Sequence, residues 1–589
     1  MRPGPDGLVD FGVGPYVHGT PSRRFPVYTR GNAGEVYPQP VFPLTAAMVR
    51  ALAGDPARDF LRSTGMVTRS ECDEEADVFM GVFAGYTYLN LSVTRVVAVR
   101  TPRTSAADAD APFLGAEGLA PPHVRSWRDV NPLATVRGLA HGWRVLAATD
   151  LPELDAAADE IDRWRSDLVP VAESSDDELV TATVGMLPMV GRIFALHLAI
   201  TGGTGIGLDV LRKATRRRGR AVDLMALLGG LGGVASADPS VDLWALGRMV
   251  RADAGLTELF NGGVDGLDTR LRTGGPSDEA VVGFVAALDA VVARHGARGP
   301  NEWEMGCDVW GTDPNLVLAL VDRMRHADDD HDPAVRGAVV ADREAAVAAA
   351  RQRVRPGGRW LFDRGLSCVV LRTRGRERCK TILVEAIHEG RLRLRELGRR
   401  LAERHPGVAH DDLFYVTLDE LDAFRSDPAA FADVLASRRE TRDRLAGLEP
   451  PFCFSGEIPP VAEWPAASGS EPFQPTGFLP EGTVLNGTPG ASGVARGRAR
   501  IVVDPGEPGD LGPGDVLVAP LTDPAWTPLF VPVEAVVVDV GGQMSHAVIV
   551  SRELGLPCVV AVTGATTAIA EGTQIEVDGS AGTVRILPE

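Results

Sequence analysis

A proline-rich segment over residues 449–480 divides the chain into two regions of different texture. Pro450, Pro451, Pro459, Pro460, Pro465, Pro472, Pro475 and Pro480 stand there among Gly, Ser and aromatics, which suits a linker better than a helix or a continuous strand. Before it, from about 45 to 445, apolar residues recur at three and four, as in Leu394, Leu397 and Leu401. This spacing predicts helices over 177–199, 240–252, 278–295, 314–326, 335–354 and 380–404, with glycine-rich breaks at 201–207, 229–233 and 262–266. After it, Val/Ile-rich pieces of strand length (499–503, 515–519, 535–540, 558–562, 574–577, 583–587) alternate with Pro/Gly/Asp turns, and one short helix fits over 545–554. The expected architecture is multidomain: a large, mostly α-helical domain over 1–448, a linker over 449–480 and a small C-terminal α/β domain over 481–589.

A length of 589 residues, 44% hydrophobic and 24% charged, suits two or three globular domains. The net charge of −19 predicts a surface that repels phosphate backbones and anionic lipid, so neither nucleic acid nor membrane is the expected partner. Cys72, Cys307, Cys368, Cys379, Cys453 and Cys558 form no CxxC pair, which points away from a disulfide framework or a zinc site and towards a reducing cytoplasm. Residues 1–30 lack the apolar core of a signal peptide, and the greasy stretch 184–208 carries Arg192 and His197, so no membrane span is expected. Lys213 and Lys380 are the only lysines and neither follows a glycine, which excludes a Walker A loop.

The chemistry concentrates near the end of the chain. Residues 534–540 read as a buried strand, Gly541-Gly542-Gln543-Met544 as a tight turn and 545–554 as a helix, closed by Gly555 and Pro557. His546 therefore falls in the first turn of a helix, beside a Ser545 able to cap it. Helix-start N–H groups and the positive dipole end favour a neutral, nucleophilic imidazole and stabilise a phosphate placed there. By position alone, a packing or capping histidine is the bland alternative.

Gly541-Gly542-x-x-Ser545-His546-x-x-Ile549-Val550-x-Arg552-Glu553-x-Gly555-x-Pro557-x-Val559-Val560, followed by Ala565-Thr566 and Val577-Asp578-Gly579, closely resembles the swivelling phosphohistidine domain of phosphoenolpyruvate (PEP)-utilising enzymes. Gly493-Val494-Ala495-x-Gly497, Pro513-Gly514-Asp515-Val516-Leu517-Val518 and Thr522-Asp523-Pro524-x-Trp526-Thr527-Pro528 fit the same pattern. The resemblance implies that His546 carries a phosphoryl group, with Gly541, Gly542 and Ser545 around it. More weakly, Gly31-Asn32-Ala33-Gly34-Glu35-Val36-Tyr37-Pro38, Tyr88-Leu89-Asn90-Leu91, Arg298-Gly299-Pro300-Asn301-Glu302 and residues 413–421 resemble the rifampicin phosphotransferase branch. That likeness implies a helical acceptor-binding domain over 1–448, with Arg298 and Glu302 at its substrate site, and nothing in the sequence resembles the ATP-grasp domain that the family places before it.

Family members also carry an Arg-Glu-x-x-Lys element that faces the incoming phosphohistidine. Here Arg372-Thr373-Arg374-Gly375-Arg376 aligns with it, keeping cations at Arg372 and Arg376 but putting Thr373 where the glutamate stands. Glu302 or Glu304 is the expected substitute base, and a solvated basic stretch balanced by Glu377 is the plain alternative. The implied function is transfer of a phosphoryl group from His546 to a hydroxyl of an apolar or aromatic small molecule, with Tyr86, Tyr88, Trp303 and Trp310 as pocket candidates. No cofactor or metal is expected in the chain itself; Mg and ATP would enter through a separate ATP-grasp partner, as in phenylphosphate synthase. The rival reading is a binding or regulatory protein that kept the fold and changed its chemistry.

Minor candidates carry less. The glycines of 201–207 read as a helix break, the basic run Lys213 to Arg220 as an exposed helix end, the run His326 to Asp332 as a loop, and Cys558 as a packing residue.

Overall fold

The structure, a computed structural model, describes residues 8–10, 15–72, 76–102, 104–114, 119–215, 227–228, 238–274, 279–329, 332–333, 340–467, 479–503, 505, 508–522, 524–542 and 545–588. The expected break at 229–233, the start of the helix expected at 335, the arginines at 216–220, His331 and the centre of the linker lie outside them. The chain divides into two compact units. The first comprises 1–206, 303–307 and 378–473, and the second 207–302, 308–377 and 474–589.

The dividing line therefore does not fall at residue 448. Segments 207–302 and 308–377, expected inside one helical domain, cluster with the C-terminal module because they share its apolar core. Leu243, Trp244, Phe260, Phe284 and Leu318 of the helices belong to one buried cluster with Leu517, Trp526, Phe530 and Val548 of the module. Burial of side chains this large contributes about 1.5–3 kcal/mol apiece, enough to outweigh the change of texture along the sequence.

In the second unit an eight-stranded sheet runs in the order Val484–Asn486, Thr583–Ile586, Gln574–Asp578, Val494–Ile501, Asp515–Ala519, Ala535–Val538, Cys558–Val560 and Thr488–Ala491. The four strands from Val494–Ile501 to Cys558–Val560 pair in parallel, and antiparallel strands flank them. Asp515–Ala519 and Ala535–Val538 are buried throughout, which fits the apolar runs Val516–Ala519 and Ala535–Val538. The helices Asp238–Ala252, Glu279–His295 and Asn315–His326 match the predicted spacing.

The first unit is not purely helical. A four-stranded antiparallel sheet, in the order Met80–Phe83, Tyr86–Asn90, Val27–Thr29, Cys453–Ser455, surrounds Tyr28, Phe83, Tyr88 and Phe454, whose rings lie 4.8–6.0 Å apart. Its strands are too short to imprint a period on the sequence. The hairpin turns on Ala84 and Gly85, and at Gly85 (φ 79°) an added Cβ would stand 2.7 Å from the Tyr16 ring.

Two helices are longer than the spacing implied: Asp176–Thr215 with 40 residues and Arg359–Arg404 with 46. The first runs straight through 201–207, so the expected glycine break is absent there. Gly207 instead allows close packing, since a Cβ on it would lie 2.7 Å from Val369 Cγ2. The same helix is long and apolar enough to cross a membrane by length and composition; within the first unit its Met186, Val190, Ile193 and Ile200 are core residues.

Candidate functional site

The helix His546–Leu554 begins as the sequence predicts, with Ser545 extended at the N-cap and Gly555 closing it in the left-handed conformation (φ 68°). The amides of His546, Ala547 and Val548 have no carbonyl within the helix to bond, so they form the donor set that suits an anion. Ser545 does not cap, however. Its hydroxyl makes no cap bond and is buried without a hydrogen-bond partner among the described residues. Gly542 accepts from the Ser545 amide at 2.9 Å, and a Cβ on Gly541 would lie 3.2 Å from Ser545 Oγ. The absence of a side chain at Gly541 thus leaves room for the Ser545 hydroxyl.

His546 is half-buried, with Nδ1 turned inward and Nε2 3.0 Å from Thr527 Oγ1. The Phe530 ring lies 6.1 Å away, centre to centre. Both neighbours come from the short helix Pro524–Phe530, which packs against the histidine helix and against Asp238–Ala252. The local sequence marks neither as a site residue, although Trp526-Thr527-Pro528 is part of the motif that signals the domain. Nearby, burial raises the Asp539 carboxyl to about 6, against hydrogen bonds from the Thr566 amide (3.0 Å) and hydroxyl.

Arg372 and Arg376 lie on the helix Arg359–Arg404, and this helix meets the histidine helix through Val370 against Ile549, one turn beyond His546. The stretch is not a solvated basic run, since Arg372 and Glu377 are buried. Arg376 pairs with Glu377 at 3.2 Å. Burial pushes the Cys368 thiol up, and the Arg372 guanidinium one turn away opposes this. A further cation, Arg343, is lowered by burial and by neighbouring Arg374, with Glu553 of the histidine helix opposing.

The expected substitutes for the missing glutamate are engaged elsewhere. Glu302 is buried and pairs with Arg298 at 3.3 Å. Glu304 accepts from the Thr45 hydroxyl and from the amides of Phe42 (3.2 Å) and Gly306 (3.3 Å); burial pushes its carboxyl up and these bonds oppose it. Glu377 is the acidic group that stands one turn from Thr373 on the same helix face, a relation visible only once the helix was known to be continuous.

The aromatic pocket candidates lie inside the protein. Tyr86, Tyr88, Trp303 and Trp310 are all buried; the tyrosine hydroxyls donate to the carbonyls of Leu445 (2.7 Å) and Pro451 (2.9 Å). Lys213 pairs with Asp209, and Asp329 of the 326–332 run pairs with Arg248. Among the described residues no three His, Cys, Asp or Glu side chains cluster to hold a metal. All six cysteines are free thiols, and Cys558 is fully buried in its strand.

Residues 511–582 match the family described as PEP-utilising enzyme, mobile domain, and residues 197–377 match the rifampicin phosphotransferase fourth domain. An uncharacterized protein of Mycobacterium tuberculosis is 29% identical over 620 residues, covering 99% of this chain and 65% of the relative. A rifampicin phosphotransferase of Bacillus subtilis is 36% identical over 184 residues (31% of this chain, 20% of the relative), and the prodigiosin-synthesizing transferase of Serratia marcescens 26% over 543 (86% and 58%). The chain thus spans under two thirds of the length of the mycobacterial relative. The histidine helix, the matched segment 511–582 and most of the matched segment 197–377 lie in one unit, and the similarity is consistent with the PEP-utilising enzyme family, on its rifampicin phosphotransferase-like side.

Proposed function

We propose that the chain is a phosphohistidine-dependent phosphotransferase in which His546 Nε2 carries the phosphoryl group to a small-molecule hydroxyl. The observation that carries this reading is the presentation of Nε2 at the start of a helix whose first amides have no internal acceptor, next to a buried serine hydroxyl. In the first half-reaction the Nε2 lone pair attacks the donor phosphorus, a P–N bond forms and the donor P–O bond breaks. In the second, the acceptor oxygen attacks, the P–N bond breaks and the hydroxyl proton passes to a base. Glu377, one turn from Thr373, is the carboxylate we assign to that proton, while Arg372 and Arg376 neutralise the transferring group. ATP with Mg is the proposed donor, held by an ATP-grasp module outside these 589 residues.

The test is chemical. Incubation with Mg-ATP and an ATP-grasp protein should leave an acid-labile, base-stable label that His546→Ala abolishes with the fold intact, whereas label persisting in that variant would overturn the assignment. A second reading, a binding protein with altered chemistry, is favoured by Thr373; it predicts that no donor labels His546.

A further inference from the structure

Large hydrophobic side chains are mostly hidden in this protein, yet the exposed ones are not scattered. Eight of the seventeen exposed among the described residues fall between Leu119 and Trp143. Val124, Trp127 and Val130, in and around the short 3-10 helix Trp127–Asp129, and Leu133, Val136 and Leu139 on the helix Pro132–Ala147, are each between 57% and 84% exposed. At 3.6 residues per turn, the helical ones and Trp143 fall within about a third of the circumference, so they form one outward stripe. An apolar patch of this kind on a soluble surface marks a contact.

The stripe is held rigidly. The opposite helix face is docked through buried Ala134 and Val145, and Thr135 Oγ1 donates to the Arg100 carbonyl at 2.9 Å. The loop is pinned from beneath: Asp129 pairs with Arg24 at 2.8 Å, and Arg100 donates to the Arg128 carbonyl at 2.7 Å. Salt bridges beneath and solvent-facing tryptophan and leucine above are the reverse of a segment that has failed to fold inward.

Charge selects the occupant. The segment 121–148 carries Arg125, Arg128, Arg137 and Arg144, all exposed, against one acid, Asp129, which is buried and paired. Its local charge is +3 in a chain of −19. Screening over about 8–10 Å makes the local charge decisive, so the overall acidity that argued against lipid does not govern this face. Like charge disfavours a second copy seated face to face. A convex stripe of Trp, Leu and Val with arginines along its edge has the composition of an interfacial helix, whose apolar side enters the headgroup boundary while cations meet lipid phosphates.

We propose that residues 124–144 form a peripheral docking face for an anionic lipid surface, independent of the chemistry at His546. The full chain should be mixed with phosphatidylcholine vesicles with and without phosphatidylglycerol, then floated, while tryptophan emission is recorded. Binding to the anionic vesicles with a blue shift, weakened by salt, is expected. The triple variant Leu133→Ser, Val136→Ser, Leu139→Ser should lower the bound fraction by about tenfold, with unchanged circular dichroism. Equal binding to both vesicle types, or none to either, would overturn the proposal, as would sedimentation as a dimer without lipid that the triple variant abolishes. Because vesicle binding is read without donor or acceptor, its failure is distinct from failure of His546 labelling.

Discussion

Thr527 Oγ1 lies 3.0 Å from Nε2 of His546, so this ring nitrogen is held by a residue nineteen positions earlier in the chain. If the hydroxyl donates, Nε2 is the unprotonated nitrogen and Nδ1, turned inward, bears the hydrogen. The hydroxyl then has to swing aside as the P–N bond forms, which makes Thr527 a positioning residue.

Thr527→Val keeps the shape and removes this hydrogen bond. A neutral bond of about 0.5–1.5 kcal/mol corresponds to a slowing of His546 labelling by about threefold to tenfold, while Thr527→Ser should stay close to wild type. Initial labelling rates decide; a valine variant as fast as wild type would show that the ring is held by other contacts.

Arg372 and Arg376 are assigned to the acceptor side. Arg372→Ala or Arg376→Ala should cost about 2–4 kcal/mol in transfer from His546 to acceptor, or two to three decades in rate, with far less effect on labelling of His546. Measuring the two half-reactions separately tests this, because equal losses would remove both arginines from the acceptor step.

Asp539 provides a pH test. Burial raises its carboxyl to about 6 from an ordinary 3.8, so the folded state holds the proton more tightly than the unfolded one. The stability this contributes is complete below about pH 4, falls as pH rises to about 6 and is gone above it. Asp539→Asn, which stays neutral, should therefore gain in urea midpoint relative to wild type at pH 8 compared with pH 4.5. A gap independent of pH would mean that the carboxyl titrates normally.

Gly205 and Gly207 are two residues apart on one helix and should respond with opposite sign. Nothing lies within 4 Å of a Cβ on Gly205, so Gly205→Ala should stabilise by up to about 1 kcal/mol through helix propensity. At Gly207 the Cβ meets Val369 Cγ2 at 2.7 Å and Cys368 Sγ at 3.2 Å, so Gly207→Ala should destabilise by about 1–3 kcal/mol. Denaturant midpoints of both variants check the contrast.

The histidine turn was legible in the sequence because every signal in it is local. An apolar strand, two glycines, Ser545 at the cap, a nine-residue helix and Gly555 at its end lie within a few residues of each other, and local backbone preferences suffice to set them. The same holds for Asp238–Ala252, Glu279–His295 and Asn315–His326, whose apolar spacing alone reveals them. What chain order cannot encode locally went astray. Helix 176–215 runs on through its glycines, with the neighbouring helix filling the space beside Gly207, and the boundary near 448 gave way to an apolar cluster joining Trp244 to Trp526. Ser545 is buried without making its cap bond, Glu304 is bound by Thr45 more than two hundred residues away, and Thr527 finds His546 only when two helices pack. Local backbone preference and apolar period are properties of neighbours in sequence, and by themselves they determined the histidine helix; which side chains share a desolvated space is a property of the packed molecule, and only the tertiary structure decided it.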